Sequence, residues 1–510
     1  MKIVLLAGLW ASLAFAFGCG GGGMGSNNGS GGGGGGGGTT TPDATVTVSK
    51  TTTGPFGVAM STSFQPAEWD DQFFTLNPSA TTTLGNLGSH HIRLQGVSQG
   101  VPQTTASTWD FSTLDAVTQP VLGLGDRSPE FQIAVAPAFM YDSNHNFLDP
   151  TYQQFAAYTQ DLVEYYNIAG GFSAPDGQHA SPSGLPITWW GIYNEPNFNN
   201  LNSTQYTQLY NAVVPAMQAV DPSLKYAAVE LGDYSGLANQ YLPAFVSGVT
   251  AHVDVLATHF YSTCNQQDTD TTVFQTVPGF ATEVGDIYTQ LKTNAALTTV
   301  PVWVTENNVN ADYDAGGGIS ACNGTTFVTD LRGSSPFFAA WRPYVFSQLG
   351  KAGVQALYHW DFGADKQFGE VDYSTDALQL SYWVDYWLGK TFPTSLGSQL
   401  LQFTSSDDAD FETLAVVNND NSVIVMIANH TVNASTDNNG PGVSKIVSVD
   451  VSALGTFSSG TLLTIDKNTS VANGPTATSM TPASQMTITL NGYSVGILSL
   501  KPYDRDFFGL

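Results

Sequence analysis

Two glutamates stand where they could divide a piece of acid–base chemistry between them. Glu195 closes the run Trp190-Gly191-Ile192-Tyr193-Asn194-Glu195-Pro196-Asn197, and Glu306 closes Val302-Trp303-Val304-Thr305-Glu306-Asn307-Asn308. Each ends an apolar stretch and opens a polar one, the pattern of a strand running out into a loop. A pair of carboxyls can share the work at a C–O bond, one protonating the departing oxygen while the other attacks the carbon. The two lie 111 residues apart (306 minus 195), so only the fold can bring them together. Arg93, Asn194, His259, Tyr261 and Trp360 also fall at the ends of apolar runs. A cation such as Arg93 within about 4–6 Å would favour the ionised form of one carboxyl, and that charge would keep the second protonated. Glu230 and Asp361 are reserve carboxylates at comparable positions. Taken singly, Asn-Glu-Pro can be a plain turn, His259 a hydrogen-bonded core histidine and Arg93 half of a structural ion pair. Two matched strand-final glutamates give these residues their meaning together.

The elements that must position them read as strand–helix units. Short runs rich in Val, Ile, Thr and aromatics predict strands at Phe56–Met60, His91–Gln95, Gln132–Ala136, Ile187–Asn194, Lys225–Glu230, Val253–Phe260, Val300–Glu306 and Ala356–Trp360. Helical periodicity predicts helices at Tyr152–Tyr166, Thr204–Val220, Ala238–Val249, Ala281–Ala295, Phe337–Lys351 and Leu378–Leu388, as in Phe155, Tyr158, Leu162 and Tyr165. Eight such units imply a (β/α)8 TIM barrel, whose sites lie at the C-terminal ends of its strands. Beyond residue 392 the helical period stops. Alternating runs such as Val423–Ala428, Ile446–Val451 and Ser494–Leu500 predict an antiparallel β-sandwich, with Val46–Val48 a candidate extra strand. The expected organisation is a barrel over 44–392 and a sandwich over 393–510. Trp189 and Trp190 are candidates either for the core or for a sugar platform, and His91, Tyr141, Trp303 and Asn308 for the pocket lining.

On these residues the chain resembles glycoside hydrolase clan A, whose members carry Asn-Glu after the fourth strand and a glutamate after the seventh. The resemblance implies a retaining O-glycoside hydrolase with Glu195 as acid/base and Glu306 as nucleophile. Retaining enzymes hold the two carboxyls about 5–5.5 Å apart. It further implies substrate-site roles for Asn194 at the sugar 2-hydroxyl, for His259 and Tyr261 in a His-x-Tyr segment, for Arg93 beside the nucleophile, and for Trp360 under the sugar. Asn194-Glu195-Pro196-Asn197, followed by a helix and Val220-Asp221-Pro222-Ser223-Leu224-Lys225, is most similar to family 39, of β-xylosidase type. Tyr193 and Asn307 depart from its usual aromatic positions. The expected substrate is an oligosaccharide or polysaccharide with β-linked or α-L-arabinofuranosyl units. An endo-acting glycanase and a non-catalytic glycan-binding barrel remain the alternatives.

The rest of the chain sets the surroundings. Fifteen Lys plus Arg against 42 Asp plus Glu gives a net charge of -27, which disfavours a nucleic-acid partner. Lys2, the apolar run Ile3–Phe17 and Ala16-Phe17-Gly18-Cys19 read as a lipoprotein signal over 1–18 with Cys19 as the lipidated residue, and 19–43 as a glycine-rich tether. The expected address is therefore outside the cytoplasm, in a bacterial cell envelope or secreted, with membrane contact only through the lipid. Cys264 and Cys322 are then an even pair, either bonded or free. No zinc spacing, phosphate loop or nucleotide fingerprint is present in the sequence, so no cofactor or metal is expected.

Overall fold

The computed structural model describes residues 41–64, 78–89, 92–95, 100–124, 130–232 and 237–503. The signal segment 1–18, Cys19, the tether up to residue 40 and His91 lie outside the described residues. Eight parallel strands close into a barrel: Ala59–Phe64, Ile92–Leu94, Glu130–Ile133, Trp189–Ile192, Lys225–Leu231, Val255–Thr263, Val302–Asn310 and Ala356–His359. They neighbour one another in chain order, the eighth pairing with the first, as right-handed strand–helix crossovers require. The strands are buried on both faces, so they read as near-continuous apolar runs. Beneath the site the lumen is plugged by Ala59, Ala227, Val255, Ala257, Trp303, Ala356 and Tyr358 with Trp189 against them. Trp189 and Trp303 pack at 4.7 Å between ring centroids, and Trp190 is fully buried, so these tryptophans are core and not sugar platforms.

A helix follows each strand: Pro78–Leu87, Ser112–Gly123, Gln153–Asn167, Ser203–Val220, Leu237–Gly248, Asp270–Leu291, Pro336–Ala352 and Leu380–Thr391. Ser203–Val220 shows why such segments are helical. Asn202 accepts from Gln205 N at 3.0 Å while Gln205 Oε1 accepts from Asn202 N at 3.0 Å, a reciprocal cap. Its buried stripe is Tyr206, Leu209, Tyr210, Val213, Val214 and Met217, and each such side chain contributes about 1.5–3 kcal/mol by leaving water. Two helices escape the periodicity. Pro78–Leu87 is rich in Ser and Thr, and Ser112–Gly123 contains Pro120. The sixth helix begins at Asp270 and runs through Pro278, eleven residues before the expected start at Ala281 (281 minus 270).

The second domain is a nine-stranded sheet ordered Thr478–Met480, Phe457–Ile465, Ser494–Pro502, Val423–Asn429, Phe411–Val417, Gln399–Ser405, Ala44–Pro55, Lys445–Asp450, Gln485–Leu490. Its ends fold over a common core, where Leu490 and Ile488 side chains meet Gly496 across the gap. Ala44–Pro55, which contains the candidate strand Val46–Val48, belongs to this sheet, so the barrel's first strand is Ala59–Phe64 and not a segment at residue 44. That strand pairs antiparallel with Gln399–Ser405 and parallel with Lys445–Asp450, the one parallel pairing among the described residues of an otherwise antiparallel sheet.

Candidate active site

The C-terminal ends of the barrel strands bring the expected residues to one place. Arg93 follows from the second strand, and its guanidinium donates to Glu306 Oε1 at 2.8 Å and to Asn194 Oδ1 at 3.1 Å. Gln95 Nε2 donates to the same Glu306 oxygen at 3.0 Å, and Tyr261 OH to Glu306 Oε2 at 2.9 Å. Three donors from two strands thus fix the carboxylate of Glu306, which is nearly buried. Glu195 is more open, its side chain 24% exposed, and its Oε1 lies 2.9 Å from His259 Nδ1. The same nitrogen is 3.3 Å from Glu306 Oε2. Carboxyl oxygens of Glu195 and Glu306 and a ring nitrogen of His259 all lie within 4.8 Å of one another.

Local backbone departures aim these groups. Along the sixth and seventh strands the register passes from Thr258 opposite Val304 to His259 opposite Glu306, leaving Thr305 as the extra residue of a bulge. Tyr193 and Glu195 have φ of 70° and 43° at the turn that lifts Glu195 out of the fourth strand. Tyr206 pins that turn from the following helix, donating to Ile192 O at 2.9 Å and accepting from Val229 N at 2.7 Å. Asn194 Oδ1 is also held by Gln132 Nε2 at 2.8 Å, which orients its amide. Trp360 Nε1 donates to Gln95 Oε1 at 3.2 Å, and its ring stands edge-on to Phe368 at 4.8 Å.

Beneath this layer sits a buried charge cluster. Glu230 receives Thr305 Oγ1 at 2.6 Å, His259 Nε2 at 3.2 Å and Arg93 Nη2 at 3.4 Å. Burial would raise its carboxyl, but the Arg93 charge and the His259 hydrogen bond outweigh this and hold it down at about 2. Glu130, 3.8 Å from Arg93 Nε, goes the other way: burial and then the Glu230 charge push it well up. Burial would lower His259, yet the Glu306 charge and the bonds to Glu195 and Glu230 raise it to about 9. Burial likewise opposes Arg93, and Glu230, Glu306 and Glu130 together raise it.

The structure therefore gathers Arg93, Asn194, Glu195, His259, Tyr261, Glu306 and Trp360. Arg93 and His259 are wholly buried, so they act at the open side of the site only through the carboxyls and amide they hold. Glu230 joins the site from below. Asp361 does not face this cluster among the described contacts; it accepts from Gly363 N at 2.8 Å. Gln95, Gln132, Glu130 and Thr305 escaped the sequence reading. Their signal was there, as polar side chains inside or at the end of apolar runs. Glu195, His259 and Glu306 have ligand spacing for a divalent ion, as do His359, Glu370 and Asp385. Fixed cations already fill that role in both places, Arg93 on Glu306 and Arg342 on Asp385 at 2.8 Å. Cys264 and Cys322 are disulfide-bonded with Cα atoms 5.9 Å apart, tying the loop after the sixth strand to the loop after the seventh.

No known protein family's sequence profile matches this chain, and no curated protein matches it in sequence. Solved structures do. A monomeric β-xylosidase from Caulobacter crescentus CB15 superposes with a TM-score of 0.63 at 15% identity, covering 90% of this chain and 100% of that one. A family 39 enzyme from Xanthomonas axonopodis pv. citri gives 0.60 at 15% identity over 90% and 97%. The family 51 α-L-arabinofuranosidase from Thermotoga petrophila RKU-1 gives 0.63 at 12% identity over 90% and 100%. What these matches define is a fold, the closed (β/α)8 barrel with a following β domain. The chain shares that fold with clan A glycoside hydrolases, its likeness running to families 39 and 51.

Proposed function

We propose that this protein is a retaining O-glycoside hydrolase acting on β-linked or α-L-arabinofuranosyl glycosides. Glu195 protonates the departing oxygen while Glu306 attacks the anomeric carbon; Glu195 then takes a proton from water as it displaces the ester. The observation that carries the reading is that an oxygen of each carboxyl lies within 4.8 Å of the other, with His259 between them. So close an approach favours a retaining pair, at about 5–5.5 Å, over an inverting pair at about 6.5–9.5 Å. The unequal surroundings support the division of roles, since Glu306 is clamped by Arg93, Gln95 and Tyr261 whereas Glu195 is open to a leaving group. A panel of nitrophenyl and 2-fluoro glycosides tests it. Turnover with a covalent adduct on Glu306 is expected, and an adduct elsewhere, or inversion at the anomeric carbon, overturns it. The Cys264–Cys322 bond also supports an exported enzyme, for which Cys19 is the proposed lipid attachment. Globomycin should then leave an uncleaved precursor.

A further inference from the structure

Glu230 has no part in the two-step chemistry, and it is too deeply buried to touch a sugar. Its placement is nonetheless forced. Val229 and Glu230 have φ of 80° and 47°, and the pairing with the sixth strand slips between Ala228 and Leu231. Left-handed backbone at residues other than glycine costs on the order of 1–3 kcal/mol each and persists where the surroundings over-determine it. Here it turns the carboxyl into the lumen under His259. Gly191 leaves the room: a Cβ there would lie 3.0 Å from Glu130 Oε1 and 3.2 Å from Glu230 Oε1. The carbonyl of Glu230 also accepts from Glu195 N at 3.0 Å, so one residue braces both halves of the site.

Resting on the retaining reading, we propose that Glu230 is a positioning residue that keeps His259 an imidazolium, so that one fixed Nδ1–H serves whichever of Glu195 and Glu306 carries the negative charge. In the free enzyme that is Glu306, and Glu195 holds the proton. When the glycosyl ester forms, the Glu195 proton leaves on the departing alcohol, and the electron pair of Glu306 becomes the new C–O bond. The charge now sits on Glu195. Water reverses this: its oxygen joins the sugar, its proton returns to Glu195, and the ester's electron pair returns to Glu306. The charge crosses His259 Nδ1 twice, between oxygens 2.9 and 3.3 Å away, and the histidine neither gains nor loses a proton. A neutral ring donating from Nε2 to Glu230 would offer Nδ1 only as a lone pair, repelling each carboxylate in turn. The groups facing this pair are Arg93, Glu130, Glu195, Thr305 and Glu306, with Tyr261 beyond Glu306 and the Tyr206 phenol behind Glu230.

Glu230→Gln keeps the shape and removes the charge. In histidine-labelled protein, with His259 assigned by its own substitution, the His259 ring should titrate at least one pH unit lower in the variant. The alkaline limb of kcat/KM should move down with it, so that about twofold is lost at pH 8 and about tenfold at pH 9 relative to pH 6. Thr305→Val removes a hydroxyl that shares Glu230 Oε2 with His259 but keeps the charge, so the ring should titrate no lower than in the wild type; a drop of a pH unit or more there overturns the proposal even if Glu230→Gln does not fold. An unchanged His259 titration and an unchanged limb in folded Glu230→Gln overturn the proposal. Wild-type protein that hydrolyses no glycoside, yet shows the His259 shift, refutes the hydrolase reading while supporting the pairing. Turnover without the shift does the reverse.

Discussion

Two buried charge clusters in this barrel are built from nearly the same parts. In one, Arg93 and His259 surround Glu230, held low, and Glu130, pushed high. In the other, Arg342 donates to Asp385 Oδ1 at 2.8 Å and to Asn307, and His359 Nδ1 lies 2.8 Å from Asp385 Oδ2. There too one acid is low and one high. Burial would raise Asp385 but the Arg342 charge outweighs it, while burial and the Asp385 charge push Glu370 well up. Thr62 donates to Glu370 at 2.6 Å as Thr305 does to Glu230. The difference is an outlet. The first cluster passes its hydrogen bonds up to Glu306 and to the part-exposed Glu195, whereas every acid of the second is closed in. Buried charge orients, and only a carboxyl that also meets solvent can do chemistry on a substrate.

That contrast can be broken by substitution. Glu306→Ala should bring turnover of nitrophenyl glycosides to the assay floor, with modest loss of stability because Arg93 still faces Glu230, Glu130 and Asn194. Glu195→Ala should lower kcat by roughly 10^2- to 10^4-fold on poor leaving groups, less on good ones, with partial rescue by azide. Asp385→Ala should do the opposite of both. It strands Arg342 in the interior, so urea unfolding should show a loss of about 3–5 kcal/mol, while the folded fraction keeps its kcat. If Asp385→Ala spared stability, or Glu306→Ala spared turnover, the division between the clusters would fail.

The smallest effect is the pH dependence of stability. His259 is raised in the fold, so its contribution is complete below its ordinary value near 6.5 and is lost as pH rises through about 9. From the interval between those values the loss is about 3 kcal/mol. Unfolding followed from pH 6 to 10 should show that decline in the wild type and a shallower one in His259→Gln.

The barrel and the two glutamates were legible because parallel strands buried on both faces leave unbroken apolar runs, and a polar residue ending such a run marks the rim. Asn194, Glu195 and Glu306 stood out on that account. Glu230 looked no different from Asp361, since nothing in Val-Glu-Leu announces a bulge that turns the side chain inward. Gln95, Gln132 and Thr305 were obscured because their value lies in what they touch across the lumen. Pro120 and Pro278 look like breakers but sit inside helices that tertiary packing sustains. Ala44–Pro55 gave only a short alternating signal, and its partners lie far along the chain.

That last strand has a consequence for how the molecule is made. Its antiparallel neighbour begins 355 residues later (399 minus 44), so during synthesis it emerges with both edges bare and waits while the whole barrel is threaded out. Its first partner arrives with Gln399–Ser405 and its second with Lys445–Asp450. Any copy cut short before residue 399 therefore carries a dangling, adhesive ribbon that nothing downstream can cover.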